Sequence, residues 1–323
     1  MNPEALTQAI LFDGGGGGRQ LTWEEVLEWK APMGVLWLHF VLTDPEVEDW
    51  LRNHSGLNPL VADALLAPET RPRASAVGEG LLVSLRGINL NPEADPEDMV
   101  SIRIWAESSR VITTRRRDLQ SVQDIVQQFE QHRGPRGTAE FLVNLASQII
   151  WRMGDTVEGV EDRIDYLEDQ VLAEAATTLR LDLANVRRQT ISLRRYLSPQ
   201  KEALGRLMVE QMSWLEDTQR LRLREVSDRL MRYIENLDEV RDRAAVTQEE
   251  LMSRVSEQLN SRMYVLSVVA AIFLPLGFFT GLLGINVGGI PGVDNPNAFW
   301  TFGVILVVIV ISQVTLFKFK KWF

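Results

Sequence analysis

The amino-acid sequence predicts an α/β cytosolic domain followed by a long α-helical stalk and two C-terminal transmembrane helices. Three observations carry that fold class. Charge is spread over residues 1–262 and almost vanishes afterwards, so a mean hydropathy of -0.07 averages two unlike parts. Short β-branched or apolar runs alternate with capped helical segments up to about residue 135. From Thr138 the apolar residues recur every three or four positions.

Composition excludes several classes of function. With 45% apolar and 24% charged residues, the 323-residue chain is globular rather than disordered. Cysteine is absent, which removes disulfides, iron–sulfur clusters, thiolate zinc sites and cysteine nucleophiles. Only His39, His54 and His132 are available as imidazole ligands, too few for a histidine-rich cage. A net charge of -10 and a pI near 5.0 argue against a nucleic-acid partner. Ser and His meet only at His54–Ser55, with no acid placed to complete a nucleophile–base set, so no enzyme is expected. No cofactor is expected either.

Residues 1–137 read as the α/β domain. VLWLHF (Val35–Phe40), GLLVSLRGINL (Gly80–Leu90), VSIRIWAE (Val100–Glu107) and RVITTRRR (Arg110–Arg117) are strand-like runs bounded by turn residues. Segments starting at Asp44 and Asn58 each open with a capping side chain and a proline, as short helices do. Gly14–Gly18 is expected to be a floppy loop, since it lacks the Gly-Lys-Ser/Thr ending of a phosphate-binding loop. The arginines at Arg71–Arg73 and Arg115–Arg117 read as strand-end clusters paired with acids.

Residues 138–198 are expected to form cytosolic helices. One carries an acidic outer face of Asp155, Glu158, Glu161, Asp162, Asp165, Glu168 and Asp169. Such a face is either simply solvated or gathers divalent cations; Asp155, Glu158, Asp162 and Asp165 are the candidates for the second role. Ser198–Pro199 is expected to restart the chain, opening a stalk helix over 199–262 that continues through the first span, about 125 Å in all at 1.5 Å per residue. Leu223, Val226, Leu230, Tyr233, Leu237, Val240, Ala244, Thr247 and Leu251 hold a heptad-like seam, with Val255 and Leu259 carrying it on. A helix of that length needs partners along its seam, which points to an oligomer.

Met263–Gly284 and Phe299–Phe317 contain no Asp, Glu, Lys or Arg and are long enough to cross a bilayer. The fourteen residues 285–298 between them are turn-rich and hold one acid, Asp294, and no base. Arg254 and Arg262 precede the first span; Lys318, Lys320 and Lys321 lie in the basic tail, 318–323. Both ends are therefore expected on the cytoplasmic side, with Trp300 and Trp322 at the interfaces. The start, MNPEALTQAI, has no cleavable-signal pattern. In the first span Ser267, Ala270, Gly277, Gly281 and Gly284 form a small-residue face interleaved with Met263, Leu266 and Leu274. Such a face suits close helix packing or a narrow conduit with hydrophobic constrictions; periodicity leaves both open.

Gly284–Ile285–Asn286, closing the first of two C-terminal spans, resembles the Gly-Met-Asn signature of the CorA family of divalent-cation transporters. GLLGINVGGIPG (Gly281–Gly292) is similar to the ZntB branch of that family, as are DALLAPETRPR (Asp63–Arg73), LVSLRGINLNPEADPEDMVSIRIW (Leu82–Trp105) and RVITTRRR. The resemblance covers nearly the whole chain. It implies a homopentameric funnel with two "willow" helices beside the stalk, in a bacterial inner membrane. It also implies zinc uptake driven by the proton gradient, other divalent ions being accepted. Pore positions would be Asn286 at the mouth, where it holds the ion through its hydration shell, then Gly277, Leu274, Ala270, Leu266 and Met263. Ile285 replaces the family methionine, Gly277 stands where a coordinating threonine is frequent, and Gly288–Ile290 replaces the Met-Pro-Glu patch of magnesium-selective members. A CorA-like magnesium or cobalt channel is the alternative, and a membrane-anchored scaffold without ion flux is a third reading.

Overall fold

The computed structural model describes residues 6–68, 71–173, 178–284, 292 and 294–319. The chain forms two compact units, Met1–Glu249 and Glu250–Phe323. The first is built on a seven-stranded mixed sheet in the order β2-β1-β3-β7-β6-β5-β4. In chain order the strands are β1 (Leu6–Phe12), β2 (Gly18–Gln20), β3 (Leu36–Val41), β4 (Arg73–Val77), β5 (Gly80–Gly87), β6 (Val100–Ala106) and β7 (Arg110–Arg115). β3 and β7 run parallel, from Leu36↔Arg110 to Val41↔Arg115; the other pairs are antiparallel.

Helices cover both faces, which is why β5 is buried along its whole length and reads as an unbroken apolar run. On one face Leu38, Phe40, Leu82, Trp105 and Ile112 pack with residues of α1 (Trp23–Glu28), α2 (Pro45–Asp49) and α3 (Pro59–Leu66). On the other, Phe12 meets Phe129 of α4 (Gln120–Glu130) and Trp37 meets Phe141 of α5 (Thr138–Trp151), each with ring centroids 4.7 Å apart. The caps read from sequence are in place: Asp44 accepts from Glu46 N at 2.8 Å and Asn58 from Leu60 N at 2.9 Å. Arg117 pairs with Asp98 and Arg115 with Asp118.

The glycine run corrects the expectation of a floppy loop. Asp13 Oδ1 accepts from Gly15 N at 2.7 Å and Gly17 N at 2.9 Å, and these bonds hold its carboxyl below the usual range. Gly16 sits at φ 106°, and a Cβ there would lie 2.9 Å from His132 O, so only glycine fits.

Three further helices follow: α6 (Gly154–Ala173), α7 (Leu179–Val209) and α8 (Asp217–Leu283). Ser198–Pro199 does not restart the chain; Pro199 lies inside α7. The next residue, Gln200, is fully buried and explains how the helix is held there: its Oε1 accepts from Arg86 N at 2.6 Å and its Nε2 donates to Arg86 O at 3.0 Å. β4 pairs with β5 only as far as Ser84, so this amide replaces the missing strand. The helical break falls instead at 210–216, where burial of Met212 and Leu215 and a bond from Trp214 Nε1 to Glu79 O at 3.2 Å draw the chain onto the domain. Arg220 Nη1 closes the end of α7, donating to Met208 O at 3.0 Å and Glu210 O at 2.6 Å.

The stalk seam is also corrected. Leu223, Leu230, Leu237, Val240 and Ala244 are buried by this chain itself. Side chains of α8 reach both neighbours: Arg243 contacts Glu168 of α6, and Arg194 and Arg187 of α7 contact Asp238 and Gln248. As far as Ala244 the seam is therefore covered within the chain, whereas Val255 is half-buried and Leu259 is 55% exposed. In the second unit, α8 continues to Leu283 and α9 spans Ala298–Phe319; both are long and apolar enough to cross a membrane.

Candidate ion path

The C-terminal part of α8 has two unlike faces. Met263, Leu266 and Leu274 are 60%, 62% and 72% exposed, and Ala270 and Gly277 are exposed with them. At about 100° per residue, Met263, Leu266, Ser267, Ala270, Leu274, Gly277, Gly281 and Gly284 fall within ~60° of one line along the helix. Ile272, Pro275 and Leu276 are half-buried on the opposite side, and half-buried Ala271 flanks the line at about 90°. A Cβ built on Gly277 or Gly281 meets nothing within 4 Å. Ser267 donates to Met263 O at 2.8 Å and Thr280 to Leu276 O at 2.9 Å, so the hydroxyl protons are spent inside the helix. The exposed face is thus uncharged and alternates small residues with the bulky Met263, Leu266 and Leu274.

Pro275 lacks the N–H that would bond Ala271 O four residues back. Gln313 of α9 fills the gap, donating from Nε2 to Ala271 O at 3.4 Å. Hydropathy reading passed over Gln313 because one amide hardly changes the mean of an apolar span; the proline four residues after Ala271 was the available signal.

Gly284 closes the described part of the span, and a Cβ there would lie 2.8 Å from Thr280 O. Ile285 and Asn286, with Gly288–Ile290, lie outside the described residues, as do Lys320, Lys321 and Trp322.

The acidic helix is α6, whose Val157, Val160, Ile164, Leu167 and Val171 are buried while Asp155, Glu158, Asp162 and Asp165 are exposed. Asp165 differs from the other three. Arg243 Nη2 lies 2.5 Å from Asp165 Oδ1 and 2.5 Å from Glu168 Oε2, and these bonds raise the arginine pKa. Asp155, Glu158 and Asp162 have no ion-pair partner among the described residues, nor do three His, Asp or Glu side chains converge there as a metal cage.

His39 is a buried titratable group of the sheet. Arg115 Nε donates to its Nε2 at 2.8 Å, which leaves the proton on Nδ1, 2.7 Å from Thr113 Oγ1. Burial, and then the Arg115 charge, push its pKa down to about 3. It is neutral at physiological pH.

Comparison with known proteins bears on this geometry. A family model described as CorA-like Mg2+ transporter protein matches residues 33–321. The divalent cation transporter CmaX of Pseudomonas aeruginosa is 38% identical over 320 residues, 98% of this chain and 96% of that protein. The zinc transport protein ZntB of Yersinia pseudotuberculosis is 36% identical over 314 residues, 97% of this chain and 95% of that protein. The structure of full-length CmaX superposes with a TM-score of 0.88, covering 99% of this chain and 98% of that one.

Proposed function

The chain belongs to the CorA-like Mg2+ transporter family, shares its fold and is a divalent-cation transporter rather than an enzyme; on that premise we propose that it takes up zinc as a homopentamer coupled to the proton gradient. In this reading the protein sits in a bacterial inner membrane with both termini in the cytoplasm, an orientation supported by the basic residues flanking the spans.

The observation that carries the pore is the uncharged line of small residues, Ser267, Ala270, Gly277 and Gly281, interleaved with Met263, Leu266 and Leu274. The rest of the exposed surface of this span carries bulky side chains, Val265, Phe273 and Phe278 among them. One protomer with two spans cannot enclose water; five such faces around an axis can. Met263, Leu266 and Leu274 then form rings that close by dewetting. Asn286 forms the mouth. Its neutral amide accepts hydrogen bonds from the water shell of a dication, so the ion is recognised without being stripped. Exposed carboxylates at Asp155, Glu158 and Asp162 raise the local cation concentration.

Zinc is supported by the ZntB relative and by the glycine-rich loop with Ile285, which lacks the acidic patch of magnesium-selective members. The second reading, a magnesium or cobalt channel, has the description of the matching family in its favour. Flux of labelled zinc and magnesium into proteoliposomes, with and without an inward pH gradient, separates them. Zinc uptake that rises with the gradient supports the first; gradient-independent magnesium flux supports the second. Mass measurement of the solubilised protein tests the pentamer, and a stable monomer or dimer that still transports refutes it.

A further inference from the structure

We propose that Gln313 is a positioning residue for conduction: it holds the backbone carbonyl that Pro275 leaves open and so fixes the helix just below the Leu274 constriction. The proposal rests on the reading of the Met263–Gly281 face as the pore.

Proline at 275 creates a specific vacancy. Ala271 O loses its ordinary donor four residues on, and in a hydrocarbon environment such a group gains from a replacement. Gln313 Nε2 is the donor, at 3.4 Å, and the residue is half-buried between the two spans. The bond joins α9 to the flank of α8, about 90° around the helix from the centre of the pore face and one turn from Leu274. A glutamine in a span is costly unless its amide is used, and here its use is defined by a residue on the other helix. The same side chain has a buried Oε1 without a hydrogen-bond partner among the described residues.

The chemistry predicts a dependence that simple packing does not. Gln313→Leu leaves Ala271 O unsatisfied as long as Pro275 is present. Pro275→Ala restores the ordinary helical N–H to that carbonyl, and Gln313 then becomes dispensable.

The experiment is a double-variant cycle on the full-length protein in proteoliposomes, reading zinc flux, melting temperature and oligomer mass for the parent, Gln313→Leu, Pro275→Ala and the combination. Gln313→Leu is expected to change the maximal flux by roughly three- to twentyfold, the range interhelical hydrogen bonds in lipid convert to. The concentration for half-maximal flux should stay put, because the ion is selected at the mouth. It should also lower the melting temperature. In the Pro275→Ala background both effects should disappear. If Gln313→Leu alone fails to assemble, the double variant should assemble. Equal losses in both backgrounds, or a double variant that also fails to assemble, overturn the proposal. Coupling in stability without any change in flux overturns the role in conduction. A parent that conducts, with Leu274→Ala leaving its flux untouched, instead refutes the pore reading itself.

Discussion

Replacing Gln200 by leucine isolates the bond that ties α7 to the sheet. The side chain is 0% exposed, and its amide makes two bonds to one residue, 2.6 Å from Arg86 N and 3.0 Å to Arg86 O. Leucine is similar in volume, so little cavity is created. Both Arg86 backbone groups lose their partner inside the protein, at about 1–3 kcal/mol each, and the added apolar burial returns only part of that. A net local cost of about 3 kcal/mol corresponds to a ~150-fold larger opening constant. Hydrogen exchange of the Arg86 amide in the full-length protein, followed by mass spectrometry, reads that constant directly. Exchange should accelerate by about two orders of magnitude in Gln200→Leu. In Gln200→Glu, which keeps the acceptor and loses the donor, the acceleration should be smaller. An acceleration below about fivefold in Gln200→Leu would show that another group satisfies Arg86 and that Gln200 is not the clamp.

Neutralising Asp155, Glu158, Asp162 and Asp165 together should lower cation flux more at 0.01 M than at 0.15 M salt, where the screening length is about 30 Å and 8 Å respectively; equal losses at both would reject the electrostatic account. Gly284→Val places a Cβ against Thr280 O and should reduce the yield of assembled protein, which size-exclusion mass analysis would reveal; normal assembly contradicts the steric argument. His39 is neutral in the fold but protonates near pH 6.5 when unfolded, so its contribution is present above pH 6.5 and is lost as pH falls toward about 3. Melting temperature should fall between pH 6.5 and 5 in the parent and fall less in His39→Gln, and identical slopes would assign the acid sensitivity to other groups.

Elements whose residues obey one strong local rule were legible in the sequence. The β-branched runs at 35–40, 80–90, 100–107 and 110–117 contain β3, β5, β6 and β7 to within a few residues, and the capped segments at Asp44 and Asn58 open helices. Both apolar spans are helices. Elements set by tertiary contact were not legible. Pro199 is a local stop signal, overridden because Gln200 is bound to β5; 210–216 holds no proline or glycine, yet the helix ends there because Met212, Trp214 and Leu215 find partners on the domain. Gly14–Gly18 reads as loose because the sequence does not show Asp13 bonding back to it. The stalk seam was correctly recognised as apolar, but periodicity does not say whose helices cover it. Of the path itself, Met263, Leu266, Ala270, Leu274 and Gly277 share an exposed face as their spacing implied, whereas Gln313 became visible only once α9 lay beside Ala271. Asp165 looked equivalent to its acidic neighbours until Arg243, 78 residues away, was seen to reach it.

Zinc entry in the proposed pore depends on the neutral amide of Asn286 at its mouth. The most direct test of that dependence is zinc uptake by Asn286→Ala in proteoliposomes, with the variant and parent compared at equal amounts of assembled protein. Near-abolished uptake with unchanged oligomer mass and melting temperature is the predicted result. Uptake equal to the parent's would contradict it.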